Sequence, residues 1–173
     1  MINTKNVVIG ALFAVIAALL QIIPVVFSEV FVFLTIFSAV PIYIVSRINP
    51  KAGVLSYLVA SMLIMFLSVH EGLFFLCTNG VVGMSLGICS YYTKIKAIIW
   101  FLSSFALTIT LSIMNFGIGI PVFGSKLPGG ILIQIMIIFL VSAIYNILYY
   151  YFSCFIFNLL IRLKVLPHQS IVK

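Results

Sequence analysis

Residues 6–27 read NVVIGALFAVIAALLQIIPVVF, an apolar run that sets the class of fold for the whole chain. At about 1.5 Å per residue, a helix of this length crosses the ~30 Å hydrocarbon core of a bilayer. Gly10, Ala14 and Ala18 are spaced four apart and therefore share one helix face. Because helices in a bilayer associate by close van der Waals packing, this small-residue face predicts a close contact with another helix.

The composition is that of an integral membrane protein. Of the 173 residues, 65% are hydrophobic and 6% are charged, whereas ordinary globular chains are about half apolar and about a quarter charged. The first apolar run exceeds the ~7–15 residues typical of a signal peptide, and residues 24–29 offer no small-x-small cleavage motif. We therefore expect an uncleaved first helix in a multi-pass protein of the cell membrane.

Apolar runs separated by turn-forming or charged residues predict one all-α domain with six transmembrane helices. The last run is longer than a bilayer needs, which predicts tilt or a projecting inner end, with division into two spans as the alternative. With the N-terminus inside, every Lys and Arg except Lys126 falls on the cytoplasmic side, and Glu29 and Glu71 fall in outer loops. Both termini are therefore expected in the cytoplasm. The expected spans are residues 6–27, 30–46, 52–69, 73–92, 97–118 and 131–163.

The residue inventory argues against several classes of function. The net charge of +7 comes from cations scattered at the ends of apolar runs, a pattern typical of membrane topology and not of nucleic-acid binding. His70 and His168 are the only histidines, and Glu29 and Glu71 are the only acidic residues. We therefore expect no catalytic constellation, no metal site and no cofactor. Residues 119–126 are a poor match to a phosphate-binding loop, because the lysine comes one place late and no strand precedes it.

Four amide side chains are expected to lie in one layer near the outer face. At about 1.5 Å per residue, each lies roughly 5–10 Å below the outer end of its predicted helix. Amides are costly in hydrocarbon and tend to face a partner or a cavity. The layer therefore predicts an outward-opening polar pocket, with hydrogen bonding between helices as the alternative. The four are Gln21, Asn79, Asn115 and Gln134.

Polar residues on the last span extend this candidate pocket. Asn146 follows Gln134 on the same face, and the neighbouring Tyr145 adds an aromatic ring with a hydroxyl tip. Glu71 is a further candidate, and the Gly/Pro-rich stretch 117–130 is long enough to form a lid. Gln21 ranks below Asn79, Asn115 and Gln134, because it lies on nearly the same face as Ala18. The candidate ligand-binding residues are Asn79, Asn115, Gln134, Asn146, Tyr145, Glu71 and Gln21.

The fourth span carries a second small-residue face. Gly80, Gly83 and Gly87 follow one another at intervals of three and four residues, and so lie on one side of a helix. This spacing predicts close helix packing.

Two segments resemble the substrate-binding S components of energy-coupling factor (ECF) transporters. They are GALFAVIAA at 10–18 and GVVGMSLGICSYYTKIK at 80–96, in a short six-helix chain with both termini inside. The resemblance implies a subunit that captures a vitamin or similar micronutrient from outside. A transmembrane T component and two cytoplasmic ABC ATPases complete such a transporter, and the S component topples in the membrane to release its cargo. In that family the alanine face of the first helix docks on the T component, and the matching positions here are Gly10, Ala14 and Ala18.

The predicted spans hold no energy source of their own. They contain no nucleotide site and no acidic residue, so we expect no enzymatic activity and driven transport would require partner proteins. The outer half offers amides, hydroxyls, aromatic rings and two glutamates against Lys126 and His70. This balance favours a neutral or weakly cationic small molecule over a polyanion. The alternative is a structural or assembly protein of the cell envelope, in which the amides only join helices.

Overall fold

The computed structural model describes residues 4–122 and 129–163, and within these ranges the secondary structure is helical without strands. A 3₁₀ turn forms at Glu29–Val32, and a π-helical turn forms at Ile113–Ile118. Lys126, His168 and the middle of the expected lid lie outside the described residues. The α-helices are α1 (Thr4–Val26), α2 (Phe33–Phe37), α3 (Ala39–Ile48), α4 (Pro50–Leu67), α5 (Val69–Cys77), α6 (Asn79–Tyr92), α7 (Lys96–Ser112) and α8 (Ile131–Arg162).

These helices form six segments that are long and apolar enough to cross a membrane, as predicted. The chain is therefore a multi-pass membrane protein. The last segment is one continuous helix, α8, so the alternative division into two spans is wrong. The six segments are Asn6–Val26, Glu29–Ile48, Pro50–Leu67, Val69–Tyr92, Lys96–Ile118 and Ile131–Arg162.

The second and fourth spans are interrupted, which the apolar pattern did not predict. Ser38 separates α2 from α3, and its hydroxyl donates to the carbonyl oxygen of Thr35 at 2.6 Å. Thr78 separates α5 from α6 with φ −122° and ψ −93°, and its hydroxyl donates to the carbonyl oxygen of Phe74. Ser and Thr offer the backbone such alternative hydrogen bonds, and both spans remain apolar enough to cross a membrane. Each interruption is therefore local and leaves the span intact.

The turn before α5 is shorter than the sequence predicted. Ser68 caps α5 by accepting a hydrogen bond from the amide of Glu71 at 3.4 Å. Gly72 lets the start of α5 pack closely against the end of α4, because a Cβ there would lie 2.3 Å from Cγ of Met65. The prediction of a loop at His70 to Gly72 is wrong, and Glu71 lies in the first turn of a helix.

The small-residue face of α1 packs inside the molecule. Ala14 is fully buried and Ala18 is 7% exposed, in a cluster with Ala60 of α4. A Cβ added at Gly10 would lie 2.7 Å from the hydroxyl oxygen of Ser56, also on α4. The prediction of a close helix contact is therefore confirmed, but the helix is α4 of the same chain. The expectation that Gly10, Ala14 and Ala18 form a free docking face for a T component is corrected, because a covered face cannot contact a second protein.

The close packing predicted for the glycine face of the fourth span is confirmed: Gly83 and Gly87 pack against α3, and Gly80 packs against Tyr57 of α4. A Cβ at Gly83 would lie 2.3 Å from the carbonyl oxygen of Ala39. A Cβ at Gly87 would lie 2.4 Å from Cβ of Ser46. Glycine at these positions lets the two backbones approach within the distance that a side chain would occupy.

Charges in the described residues separate to the two ends of the bundle. Short connections make successive spans antiparallel, so Glu29 and Glu71 lie at one end. The cations lie at the other end, which we call the cationic end. That this end faces the cytoplasm stays a prediction from the positive-inside bias. Among the side chains that the structure describes, these cations are Arg47, Lys51, Lys94, Lys96 and Arg162.

Asn49 caps α4 and links it to α3. Its side-chain oxygen accepts hydrogen bonds from the amides of Lys51 at 3.1 Å and Ala52 at 3.3 Å. We expect Asn49→Ala to lower the free energy of unfolding by about 1 kcal/mol, because two amides at the helix start lose their acceptor. Denaturant unfolding in detergent measures this loss. Asn49→Ser keeps an acceptor and should retain most of the stability, and equal losses in both variants would rule out capping as the cause.

Candidate ligand-binding site

Gln21 joins three spans by hydrogen bonds near the end of the bundle opposite the cations. Its side chain is 3% exposed. The amide nitrogen Nε2 donates to Oε2 of Glu71 at 2.8 Å. The amide oxygen Oε1 accepts from Nδ2 of Asn79 at 3.2 Å and lies 2.9 Å from the hydroxyl oxygen of Ser38, whose single hydrogen it shares with the carbonyl oxygen of Thr35. One buried side chain thereby fixes α1 against both interrupted spans.

Asn79, on the fourth span, connects this network to the sixth span. It is the first residue of α6, directly after the interruption at Thr78. Its Nδ2 also donates to the carbonyl oxygen of Thr35 at 2.9 Å, and its Oδ1 faces the hydroxyl of Tyr145 at 3.4 Å. The interruptions thus supply both a side chain and a backbone acceptor. We call Gln21, Ser38, Glu71, Asn79 and Tyr145 the amide network.

A cavity of about 300 Å³ lies beside the amide network. Gln21 and Asn79 form its polar side, and the rings of His70 and Phe74 contact each other edge to face with their centroids 4.7 Å apart. Glu71 is half-buried, so its carboxylate is reachable from the cavity. The lining residues are Gln21, Pro24, Val32, Thr35, His70, Glu71, Phe74, Thr78 and Asn79.

The chemistry of this lining favours a ligand that donates hydrogen bonds. Within the described residues, Glu71 is the one carboxylate of the cavity, and neither Lys nor Arg lines it. Within the described residues, Oε2 of this carboxylate accepts one side-chain hydrogen bond, from Gln21. The other oxygen, Oε1, accepts none from these side chains and is therefore left for a ligand. An ionised carboxylate accepts hydrogen bonds more strongly than a neutral amide does. An amino or cationic heteroaromatic group fits this site better than an anion.

The structure places Gln21 at the centre of the amide network, although the sequence ranks it below Asn79, Asn115 and Gln134 as a candidate ligand-binding residue. It was ranked low because it shares a face with Ala18, and that face was expected to contact a partner. In the structure this face points into the bundle, against α4 and α3. Gln21 therefore reaches the amide network through the same face that packs the helix.

Four of the seven predicted site residues meet in the amide network, and three lie elsewhere. Asn115 lies half-buried in the π-helical turn, which shifts the helical phase from that of a regular α-helix. Gln134 donates from Nε2 to the carbonyl oxygen of Gly129 at 3.0 Å, at the start of its own helix. Asn146 is fully buried and donates to the carbonyl oxygen of Ser142, one turn away at 2.9 Å. The single layer of four amides is thus reduced to the bonded pair Gln21 and Asn79.

Tyr145 is held in place by its neighbour on α8. The rings of Tyr145 and Tyr149 stack with their centroids 5.7 Å apart and an interplanar angle of 27°. The hydroxyl of Tyr149 donates to the carbonyl oxygen of Ile36 at 2.9 Å. Tyr149 thus anchors α8 to the second span and positions Tyr145 beside Asn79.

Several residues of the site were missed from the sequence. Ser38, Thr35, Thr78 and His70 all contribute to the amide network or to the cavity. A signal for three of them exists: Thr35 and Ser38 interrupt one apolar run, and Thr78 precedes Asn79 inside another. Their hydroxyls favour local backbone bonding at these positions.

The described residues contain no group of three His, Cys, Asp or Glu side chains that could hold a metal ion. Comparison of the chain with known protein families, with curated proteins and with solved structures found no match.

Proposed function

We propose that this chain is the substrate-binding subunit of an ECF-type importer in the cell membrane. It takes a neutral or weakly cationic small molecule, a vitamin or related micronutrient, from outside into the cavity beside the amide network. A T component and two ABC ATPases then energise its delivery. The observation that carries the proposal is the half-buried carboxylate of Glu71, held by Gln21 at the edge of the cavity.

The interrupted spans support a binding role. In a bilayer, irregular backbone is tolerated where it is buried in protein or lines a cavity. Here the carbonyl oxygen of Thr35 and the side chain of Asn79, each at an interruption, belong to the same cavity lining. Discontinuous helices with this arrangement form the substrate sites of many transporters.

The size and charge of the cavity support a small ligand of the proposed class. Its volume of about 300 Å³ lies at the lower end of the ~300–1,000 Å³ range of ligand pockets. Glu71 supplies its negative charge, and His70 is the one basic side chain among its described lining residues. A polyanion would meet an unfavourable potential here.

Partner proteins are proposed because the spans offer no route for an ion gradient to drive transport. Glu71 lies in a span, not in a loop, but it stands at one end of the bundle and its carboxylate binds Gln21. Proton-relay and ion-coupled transporters place ionisable residues through the depth of the membrane.

Since the face containing Gly10, Ala14 and Ala18 is covered by α4, the proposal places the T component on another surface of the bundle.

A structural or assembly role is the second candidate, and one observation favours it. Both polar atoms of the Gln21 amide have partners within the chain. A polar layer that satisfies itself stabilises helix packing without any ligand. The two functions therefore differ in whether the cavity retains a small molecule.

The test measures ligand retention by the purified full chain. Mass spectrometry under native and denaturing conditions identifies small molecules that copurify, and a panel of water-soluble vitamins of positive, zero and negative charge is then assayed by direct binding. We expect a neutral or cationic member to bind. Glu71→Gln should weaken this binding about tenfold to a hundredfold, because a hydrogen bond to a charged group is lost. Glu29→Gln removes the same charge from an exposed position near the same end and should leave binding unchanged.

Retention of anionic members alone, or equal binding by the chain and Glu71→Gln, would overturn the proposed site. A chain that copurifies with envelope-assembly proteins and retains no small molecule would favour the structural function.

A further inference from the structure

Arg47 occupies an aromatic site at the cationic end of the bundle. It lies half-buried in the last turn of α3, and its Nη1 donates to the hydroxyl of Tyr43 at 2.6 Å and to Sγ of Cys154 at 3.5 Å. The guanidinium carbon lies 4.2 Å from the ring centroid of Phe157. Tyr43 is fully buried and Phe157 is 3% exposed, so the cation is held by fixed groups.

No side-chain carboxylate is available to neutralise Arg47. The chain contains two acidic residues, Glu29 and Glu71, and both lie at the opposite end of the bundle. Hydrogen bonds to a phenol and a thiol, with a contact to an aromatic face, orient the guanidinium but leave its charge uncompensated. Both hydrogen bonds of Arg47 to described residues come from Nη1, so the N–H groups of Nη2 and Nε are left for an external acceptor.

A second cation lies against the same part of α8. Nζ of Lys96 lies 5.7 Å from the ring centroid of Tyr151, which is 51% exposed. The ring of Tyr151 also contacts Trp100, with centroids 5.8 Å apart. Tyr and Trp are enriched at the level of the lipid headgroups. Arg47 from α3 and Lys96 from α7 thus both lie over aromatic rings of segment 150–157 of α8, a composition typical of the headgroup level.

We propose that Arg47, assisted by Lys96, binds the phosphate of an anionic phospholipid in the leaflet at the cationic end. The planar guanidinium presents paired N–H donors that match phosphate oxygens. Leu148 and Ile144 of the same helix, which lie toward the bilayer middle from Tyr151, are 66% and 53% exposed and offer apolar surface to the acyl chains. The lipid would stabilise the packing of α8 on α3, and this site is independent of the cavity at the other end.

The experiment uses the full chain, delipidated in neutral detergent, with phosphatidylglycerol or phosphatidylcholine of identical acyl chains as the probe. Native mass spectrometry counts bound lipids, and thermal unfolding reports stabilisation. We expect selective retention of phosphatidylglycerol, and Arg47→Gln should weaken it about tenfold. Arg162→Gln removes an exposed charge at the same end and should change retention little. If Arg47→Gln does not fold, Lys96→Gln is the second variant, and it should weaken retention in the same direction.

Equal retention of the two lipids would overturn the proposal. Equal loss in Arg47→Gln and Arg162→Gln would also overturn it, because the attraction would then be diffuse. Stabilisation of the chain by inorganic phosphate to the same extent as by phosphatidylglycerol would assign the site to a soluble anion instead of a lipid.

Discussion

Replacing Gly83 by alanine is expected to destabilise the protein by about 3 kcal/mol, at the upper end of the typical cost of overpacking. The added Cβ would lie 2.3 Å from the carbonyl oxygen and 3.1 Å from the carbonyl carbon of Ala39, and 3.1 Å from Cβ of Ile42. These are backbone atoms and the root of a fully buried side chain, so none can rotate away. Helices α3 and α6 would have to separate along their contact. Unfolding of the purified chain in mixed detergent micelles measures the loss.

Gly117→Ala is the matched control. Gly117 also lies in a helical turn, but a Cβ there would meet only Cγ2 of Ile113 at 3.7 Å, an ordinary van der Waals distance. This variant should remain within about 0.5 kcal/mol of the parent. Equal stability of Gly83→Ala and Gly117→Ala would show that α3 and α6 are farther apart than described.

Replacing Gln21 by leucine is expected to lower the free energy of unfolding by about 2 kcal/mol. Leucine keeps a similar volume but removes three hydrogen bonds, which link Gln21 to Ser38, Glu71 and Asn79. Hydrogen bonds between membrane helices average about 0.6 kcal/mol each. The effect is expected whether the protein binds a ligand or joins other proteins, because it concerns the packing of the spans.

A double-mutant cycle isolates the central contact of the network. Gln21→Leu and Glu71→Leu should together cost less than the sum of the single losses, by at least about 0.5 kcal/mol, because each single change already removes their shared bond. Asn115→Leu is the matched control, since it changes an amide that forms no hydrogen bond with the amide network. Strict additivity between Gln21 and Glu71 would contradict the described geometry.

Much of the architecture could be predicted from the sequence. Six apolar runs of sufficient length predicted six spans, because the thickness of the hydrocarbon core sets the length of a helix that crosses it. The glycines of α6 predicted close packing for an equally local reason: a residue without a Cβ leaves room for another backbone. Neither inference requires knowing which helices are neighbours.

The candidate site was predicted only in part, because its prediction depended on helical phase and on the choice of neighbours. Asn115 was projected along a regular helix, and the π-helical turn changes its direction. Glu71 was assigned to a loop, although a helix begins two residues before it. Gln21 ranks below Asn79, Asn115 and Gln134 in the sequence because its face matches the expected partner-docking face, whereas the structure turns that face into the bundle. Each error comes from treating a span as a straight helix with an unknown environment.

The sequence by itself determined that the chain has six helices long and apolar enough to cross a membrane, where the small-residue faces lie and how charge is divided between the two ends. These properties follow from run length, residue size and residue order along the chain. Tertiary structure decided that α4 covers the face of Gly10, Ala14 and Ala18, and that Gln21 meets Glu71 and Asn79. Helix pairing in a bilayer depends on close complementarity between surfaces of similar polarity, and an apolar pattern along one helix does not specify which other helix provides it.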